Sequence, residues 1–503
     1  MAESFNSQKR EPEWETGLLD QIRDALRTAG DESWSARIEK LIREFLRQAR
    51  RGDLGVSGSL KSALDERING IDRLLSGQIN EIIHHEEFQK LEGSWRGLLY
   101  LVENSLTSPR LKIRVATATK RDLLKDFERS PEPSRSWLFE KLYADEYGHW
   151  GATPFGALIG DFEFGKDPPD VAVLTHVAQV AAFAHAPFIS AAAPGLFGWQ
   201  TFSEMIGIGN LGALSDRGEY AKWSGFRKSE ESRYVGLIVP HILGRKPYTS
   251  GPDPIRSFRF EEDVTGPDGR NYLWCNAAYA FGTRLTEAFL MHGWCAAICG
   301  AEGGGLVDNL PTGTFKTDGG EARADCPVEI AVTDRLEKQF TDNGFIPLIH
   351  LPDTAHAVFE EIPAAIKPGK YDTETANILA RQSRGLQYVF AVSRFAHYLK
   401  LVMRDSVVSF ISREEAARFL NRWLSKYLLG YDPSPADSVK KSRYPLNEGL
   451  INLNDDPENP AACRAVVFIN PHFQIGPLPV ALRIVVNLPK RYGDERGYAD
   501  WWS

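Results

Sequence analysis

Apolar residues in the first hundred or so positions recur with a helical period. Trp34, Ile38, Leu41, Ile42, Phe45, Leu46 and Ala49 form one stripe, spaced for one face of a helix. A second runs through Leu60, Leu64, Ile68, Ile71, Leu75, Ile79 and Ile82, and a third through Phe88, Leu91, Trp95, Leu99 and Val102. Gly52, Gly55 and Gly58 break the chain between the first two. Such helices cannot bury their stripes alone. They must pack on one another, on the body, or on another chain.

From about residue 111 the pattern alternates between strand and helix. Leu111 to Ala116 reads as a strand, with Thr119 capping the helix that follows. Ala157 to Gly160 reads as a short buried strand. A helix then starts at Pro168, with Val171, Leu174, Val177, Ala178 and Ala181 on one face. Phe188 to Ala192 returns as a strand, and Tyr234 to Val239 is another. Val328 to Val332, a helix near Asp334 to Asn343 closed by Gly344, and Phe345 to Leu351 repeat the pattern. This is α/β grammar.

The last part changes character. A long helix is expected over 375–411, then a capping box at Ser412 to Glu415 opens another that stops at Gly430. Three strand-like runs follow, at Leu446 to Leu453, Cys463 to Asn470 and Val480 to Leu488. A small terminal β unit has few neighbours of its own and exposes edges. The expected fold class is mixed α/β (α+β). Residues 1–110 form a helical N-terminal region, 111–430 an α/β body, and 431–503 a C-terminal β segment with its tail.

Composition narrows the function. At 503 residues, 43% hydrophobic and 25% charged, the chain has an ordinary globular make-up. A net charge of −8 argues against nucleic-acid binding by bulk electrostatics. Met1 to Ser7 show no basic segment followed by an apolar stretch, so no signal peptide is expected. The most apolar run, Val171 to Leu196, is interrupted by Gln179, His185, Pro187 and Pro194, and does not read as a membrane span. Five cysteines, none in a Cys-x-x-Cys pair, suit a reducing cytoplasm.

Short motifs offer weak chemistry. Gly160-x4-Gly165-Lys166 has phosphate-loop spacing, but Asp167 stands where Mg²⁺ wants a hydroxyl. Asp161 and Glu163 add negative charge, and Pro168 and Pro169 remove N–H donors. Gly207-x-Gly209-x-x-Gly212 matches the dinucleotide fingerprint in letters, yet it follows a short helix at Trp199 to Ile206 instead of a strand. His292, Cys295 and Cys299 at i, i+3 and i+7 would share a helix face, with Cys326 the nearby cysteine candidate for a fourth ligand. Their neighbours suggest a buried helix with cysteine as a small apolar residue. Carboxylate pairs such as Glu261-Glu262 lie in polar sequence where solvation is expected. No catalytic residue, cofactor site or metal site is assigned, and the competing reading is a nucleotide-binding enzyme using the 160–166 or 207–212 loop.

Longer segments are more specific. FQKLEGSWRGL (88–98), FGALIGDFEFG (155–165), AFAHAPFISAAAP (182–194), SRYVGL (232–237), YLWCNAAYA (272–280), GWCAAICGAEGGGLV (293–307), AVSRFAHYLK (391–400) and PHFQ (471–474) stand in order along the chain. Together they resemble the large sheath subunit of the bacterial type VI secretion system, over roughly residues 85–490. The resemblance implies a non-enzymatic, cytoplasmic protomer that pairs with a small sheath subunit. The heterodimers would stack as a helical sheath around an inner tube on a baseplate, and contraction would drive the tube outward. It also implies inter-subunit strand exchange through the C-terminal strands, which places Val466, Phe468, Val480, Leu482, Ile484 and Val486 at that contact. An AAA+ recycling ATPase would recognise an N-terminal helix, with Leu18, Leu19 and Ile22 as apolar anchors.

Overall fold

The computed structural model describes residues 40–41, 43–44, 47, 60–130, 132–148, 153–205, 211–212, 218–249, 258, 260–266, 269–316, 322–324, 326–405, 413–428, 444, 446–455, 462–471 and 482–489. The chain divides into two compact units, residues 1–82 with 248–262, and residues 83–247 with 263–503.

In the first unit, helix α1 (Leu60–Ile83) forms where the second stripe predicted it. Ile68, Ile71, Leu75 and Ile82 are exposed along it. Most of the first stripe lies outside the described residues. Glu262, expected to be solvated, is instead buried and accepts the Tyr248 backbone N–H at 2.9 Å. A buried carboxylate needs such a donor.

The second unit opens with α2 (Glu86–Glu103). Thr119 caps α3 (Lys120–Arg129) as expected, in a reciprocal capping box with Asp122. The segment 111–119 between them is not a strand: among the described residues it joins no sheet, and most of it is exposed. Its alternating pattern satisfies the pleat, but a strand also needs a partner ladder.

The body is built on a parallel sheet of β1 (Leu158–Phe164), β2 (Phe188–Ala192), β3 (Val235–Val239) and β4 (Ile346–Pro347), in that order. Helix α4 (Pro168–Ala184) crosses from β1 to β2, its expected apolar face fully buried. Successive strand residues point to opposite faces. Val235, Leu237 and Val239 pack into the core on the α4 side. Ile189, Ile238 and Ile346 join the other core, beneath α5 (Ala278–His292). Covered on both faces, the sheet can carry the near-continuous apolar strands that its sequence shows. β1 is irregular between Ile159 and Glu163. There the carbonyl of Phe162 accepts from Ser190 Oγ at 2.7 Å and from Asn276 Nδ2 at 3.0 Å.

Two expected elements break. Phe345 to Leu351 is split: after β4, Leu348 donates to Val239 O at 2.8 Å, and Ile349–His350 enters a separate antiparallel sheet with Ala357–Val358 and Leu306–Val307. Val328 to Val332 contributes only a single bridge, Val328 to Ile242. Helix α6 (Asp334–Asp342) ends as expected at Gly344, whose φ of +79° suits glycine.

The predicted 375–411 helix is two helices, α7 (Glu374–Gln382) and α8 (Leu386–Asp405). Around Gly385 the backbone turns outward to pair with another segment. Arg384 O accepts from Ala364 N at 2.8 Å, and Leu386 N donates to Ile362 O at 2.9 Å. Helix α9 (Arg413–Leu424) follows, its expected cap Ser412 and stop Gly430 lying outside the described residues. Three antiparallel strands close the fold: β5 (Leu446–Asp455), β6 (Ala462–Pro471) and β7 (Leu482–Pro489). The bounds agree with the predicted runs to within a few residues, save that Val480 lies outside the described ones.

Candidate functional site

The terminal sheet is ordered β5-β6-β7, so β6 uses both of its backbone edges within the chain. Leu446, Ile451, Leu453, Ala465, Val467 and Ile469 bury against Leu420 and Leu424 of α9 and Phe395 and Leu399 of α8. Val466 and Phe468 lie on the opposite face of β6, Val466 buried and Phe468 partly exposed. Leu482, Ile484 and Val486 of β7 stand opposite Ile469, Val467 and Ala465 in the ladder. The described residues expected at a strand-exchange contact are thus divided between a central strand and an outer one. A neighbour's strand could add only beside β5 or β7, where among the described residues no further strand pairs.

The β5 edge is partly closed. Ile451 N–H donates to Asn421 Oδ1 at 2.9 Å, and Asn421 Nδ2 donates to Ile451 O at 2.8 Å. A side-chain amide therefore stands in for one residue of an added strand. Asn421→Ala should leave both buried groups of Ile451 unsatisfied and lower stability by about 1–3 kcal/mol, read by urea unfolding. Because both Ile451 groups point away from β6, the alternation of an antiparallel ladder fixes the rest. Val467 faces β7, Ile484 faces β6, and the N–H groups of Arg483 and Val485 point outward from β7.

Two motif segments distant in sequence meet where α4 ends. The last carbonyls of α4 are capped by side chains from α8 and from Tyr147. His397 Nε2 donates to Ala184 O at 2.9 Å, Tyr147 OH to the same oxygen at 3.2 Å, and Lys400 Nζ to Phe183 O at 3.2 Å. His185 follows in the left-handed region at φ +52° and meets Tyr234 OH through Nδ1 at 3.1 Å. The Lys400 ammonium lies 4.7 Å from the Tyr143 ring centre and 5.0 Å from that of Tyr147. Burial pushes Lys400 down to about 7. Burial, followed by the charge of Arg394, lowers His397 to about 3.

A charged triad pins the parallel sheet. His241, just beyond β3, reaches across β2 to Glu163 of β1, Nε2 to Oε1 at 3.0 Å, while its Nδ1 meets Glu329 Oε2 at 2.5 Å. Burial alone would push this imidazole down, but the two carboxylates hold it up to about 10. The signal was absent from sequence spacing, since the three residues are far apart in the chain.

The short motifs do not converge on ligand chemistry. Residues 160–164 belong to β1, so the phosphate-loop spacing runs through a strand. A Cβ on Gly160 would lie 2.3 Å from the Phe188 ring. Gly165 N–H, where a phosphate would sit, donates to Asp170 Oδ2 at 2.8 Å, and Lys166 Nζ bonds Glu219 Oε2 at 2.7 Å. The expected Cys/His helix face does not exist: Gly293, at φ +79°, ends α5 at His292. Cys295 and Cys299 lie beyond it, and burial pushes both thiols up to about 12. Among the described residues no group of three His, Cys, Asp or Glu side chains could hold a metal ion. Most of the 207–212 loop lies outside the described residues, as do Leu18, Leu19 and Ile22.

The EvpB/VC_A0108 tail sheath N-terminal domain matches residues 65–365, and the EvpB/VC_A0108 tail sheath gpW/gp25-like domain matches 374–488. The chain belongs to the EvpB/VC_A0108 tail sheath family. It is 39% identical, over 90% of its own length and 91% of the other, to the type VI secretion system sheath protein TssC1 of Pseudomonas aeruginosa. The resemblance to the large type VI sheath subunit is thereby established, and both the family and this relative are structural sheath proteins. A likeness to a chain of the anti-feeding prophage baseplate covers 78% of this chain and 83% of that one, at TM-score 0.31 and 9% identity, and supports nothing further. Among the described residues, no helix is long and apolar enough to cross a membrane.

Proposed function

We propose that this sheath subunit is a cytoplasmic, non-catalytic protomer that pairs with a small sheath subunit. The heterodimers polymerise on a baseplate into a helical tube around an inner tube, and contraction drives effector delivery. Strand addition suits this role. It links chains through directional backbone hydrogen bonds, and a heterologous link of this kind propagates as an open helix. It also lets bodies repack while the chains stay connected. The observation that carries the reading is the outward edge of β7, which among the described residues pairs only with β6. Leu18, Leu19 and Ile22 would serve the recycling AAA+ ATPase.

The test is Val485→Pro. Proline removes one outward N–H and leaves the β6–β7 ladder intact. Co-expressed with the small subunit, the variant should yield folded heterodimers and no tubules by electron microscopy. Tubules like those of the wild type would overturn exchange through this edge. Removing residues 463–503 is a harsher experiment, because β6 belongs to the core that holds α8 and α9.

A further inference from the structure

We infer that Arg227 holds a small monovalent anion of the chloride class in a cavity beside the turn that leads from α6 into β4. The cavity has a volume of about 20 Å³, room for one particle about the size of a water molecule. Among the described residues, its polar lining side chains are Arg227, Asn343 and Tyr220, and its other walls include Phe197, Trp223 and Phe345.

Arg227 is buried as few cations are. It follows the short helix Ala221–Phe226 and is only 4% exposed. Its Nε donates to Ala365 O at 2.9 Å. Among the described residues, the other guanidinium N–H groups meet no acceptor, and no carboxylate pairs with them. Gly344 makes room for the group: a Cβ there would stand 3.0 Å from Arg227 Nη2.

A second cation sharpens the need for a counter-ion. Arg384, 6% exposed, donates from Nη1 to Asp342 O at 3.2 Å, and among the described residues no carboxylate pairs with it either. The acids that act on Arg384 from a distance, Asp342 and Glu361, are both exposed. Burial, followed by the charge of Arg384, lowers Arg227 to about 10, so it is still a cation at neutral pH. Two buried guanidiniums thus share one region with carbonyls as partners and no buried anion between them. A charge taken out of water is tolerated only when it is paired.

Size and chemistry select the occupant. A water molecule would fit and accept hydrogen bonds, but it leaves the charge uncompensated. A phosphate, sulfate or carboxylate supplies the charge and needs more space than the cavity has. A halide is little larger than water, carries the single charge, and accepts from several N–H groups at once. Asn343 Nδ2 gives one hydrogen to Gln339 O at 2.8 Å and keeps its other for such a guest. Aromatic walls suit an anion as well, because ring edges carry partial positive charge.

The experiment melts the purified full chain at matched ionic strength in sodium chloride, sodium bromide and sodium gluconate, the last too bulky to enter. Chloride and bromide at about 0.2 M should raise the melting temperature by about 2 °C or more over gluconate, saturating as one site. A chlorine NMR line that the chain broadens and bromide sharpens again reads the same site without heating. Asn343→Asp sets a carboxylate on the cavity wall in the anion's place and should abolish both signals. Arg227→Met should do the same; if that variant does not fold, Asn343→Asp and the wild-type NMR line decide. Equal melting in chloride and gluconate, or a line that the chain leaves sharp, would overturn the inference and give the cavity to water. So would a chloride effect that Asn343→Asp retains in full, since the ion would then sit elsewhere. Neither measurement involves the small subunit, so a failure of tubule assembly would bear on polymerisation alone.

Discussion

Replacing His241 with leucine is expected to destabilise the body by about 3–5 kcal/mol, measured by chemical unfolding at neutral pH. The substitution removes the cation that holds Glu329, whose side chain is only 7% exposed, and leaves that carboxylate buried without a counter-charge. Glu163, half exposed, loses less. The same triad predicts an alkaline limb. His241 titrates at about 10 when folded, against 6.5 for the free side chain, so its contribution is complete below pH 6.5. It is lost as pH rises through about 10, and the leucine variant should lack that loss. An identical alkaline limb in both proteins would show that the imidazole is not held in the charged form.

The opposite sign holds where α4 meets α8. His397 is depressed to about 3, so the folded state resists protonation that the unfolded chain accepts below 6.5. Its contribution is present above pH 6.5 and fades as pH falls. The expected loss is about 3 kcal/mol by pH 4. His185, also held well below 6.5 by burial and then by Lys400 and His397, shifts in the same direction. His397→Gln keeps an amide donor for Ala184 O and removes the titration, so its stability between pH 6.5 and 4 should be flatter than that of the wild type. Parallel melting curves for the two proteins across that range would contradict this account.

Elements whose cause is local were legible in the sequence. Thr119 and Asp122 close their capping box through contacts three residues apart. Pro168 opens α4 because its fixed φ suits a first turn, and Gly344 ends the turn after α6. The β2 run, Phe188 to Ala192, was read with its observed bounds because a fully buried parallel strand is apolar on both faces. The terminal strands were likewise found in order. Their exposed edges could be anticipated only in kind, since which strand lies in the middle depends on pairing. That is why Val466 and Phe468 fell on a central strand. Leu111 to Ala116 is not the expected strand, its pattern being right and its partner missing.

The sequence by itself determined the family, the alternation that gives an α/β body, and the segments that form helices, because caps, prolines and apolar periods act within a few residues. Only the tertiary structure decided which face of α2 turns outward, since glycines at 93 and 97 let Tyr279 and Trp274 approach more closely than the larger apolar side chains allow. It alone brought His241 between Glu163 and Glu329, and set Asn421 against the β5 edge. Those contacts join residues dozens of positions apart, and no periodicity in the chain encodes them.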